Sequence, residues 1–283
     1  MLRKLKLLGV LLAAILMSIS AQADAAPNWK TNTIQVTGMG VAPPMSTSPA
    51  HASMMARRAA VADAYRQMAE AINGVQVDAE TTVEQMMVTS DVVKTKVSAL
   101  IKGAQIVSEG ELAGGGYSVT MEIPLFGSNA SLAETVIERP ATIEPFPAPP
   151  ADYRPPVTYT PPPVPDYTPP PPSSGHYTGL VVDCRGLGAI NPVMSPVIRN
   201  ADGAKIYGHK NLDYDRIIRE GMATYAQSMG EATRAGSNPL IVRAVALDDL
   251  NATPVLSNED ADMILYENNT SHFLDNIAVV FLY

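Results

Sequence analysis

The chain has 283 residues, a formal net charge of −8, one cysteine and 24 prolines. An acidic balance of this size excludes general phosphate-backbone binding, which relies on clustered Lys and Arg, so no nucleic-acid partner is expected. A single cysteine cannot close an internal disulfide, and the folded parts must stand on their apolar cores.

The first residues, MLRKLKLLGVLLAAILMSISAQADA, read as an export signal. Arg3, Lys4 and Lys6 form a positive leader, Leu7 to Ile19 an apolar core, and two A-x-A sites follow. A signal peptide over 1–23 is expected, cleaved after Ala23 or Ala25, which sends the protein to the periplasm or cell envelope. Losing the three leader cations takes the net charge from −8 to −11. No cysteine stands near the cleavage sites, so the usual acceptor of a lipid anchor is missing. No later apolar run reaches the roughly 20 residues of a membrane helix.

A first domain is expected over 31–138. Thr33 to Thr37 is a strand closed by Gly38-Met39-Gly40. A long helix follows, capped by Ser48 with Pro49 in its first turn and ended by Asn73-Gly74. Its inward face is expected to carry Met54/Met55, Val61/Ala62, Tyr65, Met68/Ala69 and Ile72. GVQVDAETTVEQ alternates with period two and predicts a half-buried strand. Ser90 to Lys102 predicts a helix stopped by Gly103. Gln105 to Leu112 and Tyr117 to Leu125 predict a hairpin across Gly114-Gly115-Gly116.

The segment 139–174 is expected to be a linker. Pro140 to Pro172 holds 15 of the 24 prolines. Proline fixes φ and donates no backbone hydrogen bond, so the stretch reads as an extended polyproline spacer. Tyr153, Tyr159 and Tyr167, interleaved with the prolines, are candidate ligands for a groove-type partner.

A second domain is expected over 175–283. Tyr177 to Cys184 opens it as a strand, Leu187 to Pro196 is loop, and Val197 to Tyr207 is a hairpin turning at 200–203. Asp213 to Met229 predicts a helix, Leu240 to Leu247 a strand, Ser257 onward a capped helix, and Ile277 to Tyr283 a buried strand. The fold class is α+β: two small mixed modules, each a short sheet with helices packed on it, joined by the Pro-rich linker.

Several side chains are weighed for chemistry. Cys184 needs a lowered pKa and a nearby base to act as a nucleophile. None of His51, His176, His209 and His272 stands at a recognised spacing from it. In a strand, Cys184 shares the apolar face of Leu180 and Val182, which makes it a small buried hydrophobe. Gly186-Leu187-Gly188 lacks the third glycine and helix of a dinucleotide loop. Glu259, Asp260 and Asp262 suit a helix start better than a metal site. Asp248-Asp249, after a strand, are the remaining carboxylate candidates. Arg57 and Arg58 form a basic pair on the long helix, a candidate contact for a partner acid or lipid headgroup. No cofactor and no metal is expected.

IQVTGMGVAP followed by ARRAAVADAYRQMAEAINGVQVD resembles the LPP-twenty lipoprotein family, which includes the flagellar outer-membrane protein FlgP and is related to the N-terminal domain of FlgT. The pattern is V-x-G-x-G at Val36, Gly38 and Gly40; R-A-A-x-x-D-A-x-R at Arg58, Ala59, Ala60, Asp63, Ala64 and Arg66; and G-V-x-V at Gly74, Val75 and Val77. The likeness covers about 35–125, and YTGLVVDCRGLG with SPVIRNADGAKIYG resembles a second module of longer relatives. It implies a non-catalytic structural or assembly protein of the envelope, with envelope or flagellar proteins, or further copies of itself, as partners. The chain departs from the family in lacking the lipobox cysteine, which leaves membrane association open. The competing expectations are a periplasmic enzyme using Cys184 or Asp248/Asp249, and a binder of a small envelope ligand.

Overall fold

A computed structural model describes residues 26–127, 130–156, 159–164 and 176–283. The signal peptide with its cleavage sites, and Tyr167, lie outside the described residues.

Strand β1 (Thr33–Val41) runs straight through both glycines instead of ending at Thr37. Helix α1 (Pro49–Asn73) starts where Ser48 Oγ accepts from His51 N at 3.1 Å and stops at Gly74. Its buried stripe is Ala56, Ala60, Ala64, Met68, Ala71 and Ile72, while Met54 is exposed and Val61 and Tyr65 are only half-buried. The stripe departs from the expected one because bare glycines on β1 let the helix approach closely. Only alanines fit at the contact.

The expected strand over GVQVDAETTVEQ does not form. Asp78 Oδ1 accepts from Glu80 N and Thr81 N, folding the chain into a tight turn. Thr82 and Gln85 then make a reciprocal capping box that opens α2 (Val83–Thr89). Val75, Val77 and Val83 are still buried, so the apolar set was legible and the backbone was not. Helix α3 (Asp91–Lys102), capped by Ser90 and ended by Gly103, agrees with the sequence reading, as do β2 (Gln105–Leu112) and β3 (Gly116–Pro124). The sheet is antiparallel in the order β1-β3-β2, with α1 on one face. A short helix α4 (Leu132–Val136), capped by Ser131, closes the unit.

The second unit opens on β4 (Gly179–Asp183) and continues through the hairpin β5 (Ile198–Asn200) and β6 (Lys205–Tyr207). The expected helix over Asp213 to Met229 is one short helix, α5 (Tyr214–Glu220). Gly221 breaks it at φ 73°, a left-handed position that glycine adopts without a Cβ penalty. Strand β7 (Thr224–Ala226) follows. LIVRAVAL is likewise two strands, β8 (Pro239–Arg243) and β9 (Ala246–Asp248), which belong to different sheets. Strand β10 (Thr253–Leu256), helix α6 (Asn258–Ser271), capped by Ser257, and β11 (Val279–Leu282) complete the chain. One sheet is all parallel in the order β7-β11-β4-β8, and the other, β6-β5-β10-β9, is mixed. The whole is α+β.

A parallel sheet needs both faces covered. Here Leu180, Val182 and Phe281 face the main core, while Val181, Ile241, Val280 and Leu282 face a thinner layer made by Ala232, Ala235 and Val164. Val164 belongs to the proline-rich segment. Its described residues lie along the second unit: Glu144 N donates to Lys210 O at 2.8 Å, and Phe146 stacks on Tyr207. The two units also touch directly. Met194 N donates to Gln76 O at 3.1 Å, Ser195 N to Val77 O at 2.8 Å and Gly127 N to Ile218 O at 2.8 Å. Trp29 meets Tyr225 edge-on.

Candidate functional site

Cys184 follows β4 in the middle of the parallel sheet and is fully buried on the face of Leu180 and Val182. Its Sγ lies 3.8 Å from Val182 O. Burial, with the nearby Asp183 charge, pushes the thiol up to about 12. A thiolate is the reactive form, so a thiol held there is inert near neutrality. Asp183 and Arg185, on the opposite side of the strand, bind each other through two side-chain contacts at 2.8 and 2.9 Å. Burial raises the Asp183 carboxyl, yet hydrogen bonds and charge from Arg185, helped by Arg243, outweigh it and hold the group below its ordinary value.

Asp248 ends β9. Asp249 starts a left-handed turn, with φ 51°, 58° and 66° at Asp249, Leu250 and Asn251. The Asp249 carboxylate is paired with Arg199 at 2.9 Å. Among the described residues no group of three His, Cys, Asp or Glu converges as metal ligands. A cavity of about 400 Å³ lies between the proline-rich segment and the end of α6, lined in part by Glu144, Phe146, Asn211, Asn268 and Asp275. Its polar groups are largely engaged internally: Asn211 Nδ2 donates to Glu144 O and Pro145 O, and Asn268 Nδ2 to Asp275 Oδ2.

The sequence-selected surface residues sit in two places. Arg57 Nε donates to Glu109 Oε2 at 2.8 Å, which ties α1 to β2, and Arg58 beside it is exposed. Tyr153 packs on Tyr266 at 5.6 Å between ring centres, with its hydroxyl buried and unpartnered. Tyr159 Oη donates to Ile241 O at 2.7 Å. Burial pushes both phenols up. Among the described residues the arginines and the tyrosines do not come together.

Two residues on α1 were not selected from the sequence. Asp63 Oδ2 accepts from Met39 N at 3.0 Å, and Gln67 Nε2 donates to Thr37 O at 3.2 Å. Asp63 lies inside the R-A-A-x-x-D motif, beside the alanines that touch β1. An acid next to an alanine contact stripe was the available signal.

With this geometry in place, the first unit is of a recognisable class: residues 27–123 match the family model of the LPP20 lipoprotein. The resemblance expected over about 35–125 is borne out over that range. Residues 179–283 match the model for the second domain of Treponema pallidum Tp0624. No curated protein matches the chain.

Proposed function

We propose that the chain is an exported, non-catalytic protein of the cell envelope, a structural or assembly factor that works through protein–protein contact, with flagellar proteins among its candidate partners. The observation that carries this reading is the LPP20 match over the strand–helix–hairpin unit. The non-catalytic part is supported by the buried, protonated thiol of Cys184 and by the Arg199 partner of Asp249. An affinity-tagged full chain, cross-linked in intact cells and purified, tests it. The expected result is recovery with the envelope fraction and enrichment of envelope or flagellar proteins. A chain that fractionates with the cytoplasm and cross-links to no envelope protein overturns it.

A further inference from the structure

The three-stranded sheet has two edges, and helix α1 treats them differently. On β1, Met39 N–H is taken by Asp63 and Thr37 C=O by Gln67. In an antiparallel ladder successive residues alternate between facing the partner and facing away, so Thr37 and Met39 point outward. Their opposites on β3, Thr120 and Ser118, therefore turn their main chain toward Ser108 and Gly110 of β2. The same alternation aims the N–H and C=O of Glu109 and Glu111 at the free edge of β2. Among the described residues no hydrogen bond reaches those four groups beyond the sheet. Side chains of α1 reach into one edge, at Thr37 and Met39, and leave the other open.

Of the usual guards, β2 has two glutamates and a bulge near its start but no Lys and no Pro, and it exposes Ile106, Val107 and Leu112. A bulge between Ile106 and Ser108 leaves Ser108 to Leu112 regular. The two carboxylates are drawn over α1: Glu109 onto Arg57, and Glu111 onto Ser53 Oγ at 2.6 Å. Each copy thus carries one counter-charge, Arg57, for its two edge carboxylates, which offsets part of the repulsion expected between two acidic chains.

We infer that β2 pairs antiparallel with β2 of a second copy across a two-fold axis, extending the sheet to six strands. An isologous contact uses the same patch twice and asks nothing of β1. The α1 side chains on Met39 N and Thr37 O stand in the way of head-to-tail addition at β1, so pairing through this sheet is expected to end at a dimer instead of a filament. This inference rests on the chain being an interaction protein, but it fails separately: a monomer overturns the pairing and leaves the cross-linking result untouched.

Sedimentation of the full mature chain from about 1 to about 200 µM, a range that spans micromolar association, with amide hydrogen exchange across the same range, tests it. A monomer–dimer equilibrium is expected, with slowed exchange at Glu109 and Glu111 as the dimer fills. Glu111→Pro removes an outward N–H and no ladder bond to β3, so it is expected to give a folded monomer. A chain that stays monomeric overturns the inference, as does a species larger than a dimer or a dimer whose Glu109 and Glu111 amides exchange freely. So does dimerisation that survives in folded Glu111→Pro. Should that variant not fold, the wild-type exchange at the two amides decides alone.

Discussion

Gly38 lies against the backbone of Ala64 so closely that a Cβ built on it would stand 2.2 Å from the Ala64 nitrogen and 2.3 Å from Ala60 O. Gly40 repeats the arrangement one step along, 2.3 Å from Ala56 O. The V-x-G-x-G strand and the alanine-rich helix are thus two halves of one contact. Neither glycine has a positive φ, so the requirement is space and not conformation.

Gly38→Ala must push backbone against backbone, which no rotamer change can relieve. A loss well above the usual overpacking cost of about 1–3 kcal/mol is expected. Gly114→Ala, in an open turn at φ 88° with nothing within 4 Å, is the control for conformational strain alone. Thermal unfolding of the two variants separates the effects. Equal, small losses would refute the close-contact account.

This contact explains what the sequence could and could not reveal. The helix ends were legible because Ser48, Pro49 and Gly74 act locally, and the same is true of Ser90, Gly103 and Ser257. The buried face of α1 was legible at Met68 and Ile72 but not along the rest of the helix, because apolar periodicity favours Met54 and Tyr65 over Ala56 and Ala60. It takes the glycines of another element to make alanine the contact residue. The breaks at Gly221 and after Arg243 were missed for a related reason: apolar runs stay buried on both sides of each break while the chain changes element or sheet. The position of Cys184 on the face of Leu180 and Val182 needed only the period of a strand, and it holds. The open β2 edge was illegible, since strand order and the reach of Asp63 and Gln67 are set by tertiary packing.

Cys184 makes a direct prediction. A thiol pushed up to about 12 in a closed core should resist a thiol-specific disulfide reagent in the native state and react at once in denaturing guanidinium. Cys184→Ala removes one buried atom and is expected to cost about 1 kcal/mol, in the range of small core truncations. Rapid labelling of the native chain would disprove the buried assignment.

The proline-rich segment makes another. Val164 covers the second face of the parallel sheet, and Tyr159 anchors the chain to Ile241 O. Tyr159→Phe loses one neutral hydrogen bond, worth about 1 kcal/mol. Val164→Asp brings a carboxylate onto Val181 and Val280 and is expected to cost several times more, since an unpaired charge loses its hydration there. Both should lower Tm, Val164→Asp by far the more. An unchanged Tm for Val164→Asp would mean that the segment does not cover this face in solution.

His209 couples the docking of the two units to pH. Its Nδ1 lies 3.4 Å from Ser195 Oγ, and the Ser195 amide donates to Val77 O across the contact. Burial, then Lys210 and Lys205, lowers the affinity of His209 for a proton, against the opposing pull of Asp78 and Glu138. The folded-state pKa is therefore below the unfolded value of about 6.5. On acidification the unfolded chain takes up this proton first, so stability from the neutral imidazole is complete above about pH 6.5 and drains away as pH falls below it. Asp183 works in the same direction but lower: its depressed carboxyl contributes above the unfolded value of about 3.9 and is lost in stronger acid. Tm measured between about pH 7.5 and 5.5 covers the histidine range, where ordinary carboxylates stay almost fully ionised, although burial raises Glu267 and gives it an opposing slope; comparison with the substituted chain isolates His209. The wild-type chain should lose stability across that window, and His209→Gln, which keeps a polar group at the contact without the titration, should flatten the slope. If the slope survives the substitution, the proton is taken up elsewhere and His209 does not govern the contact.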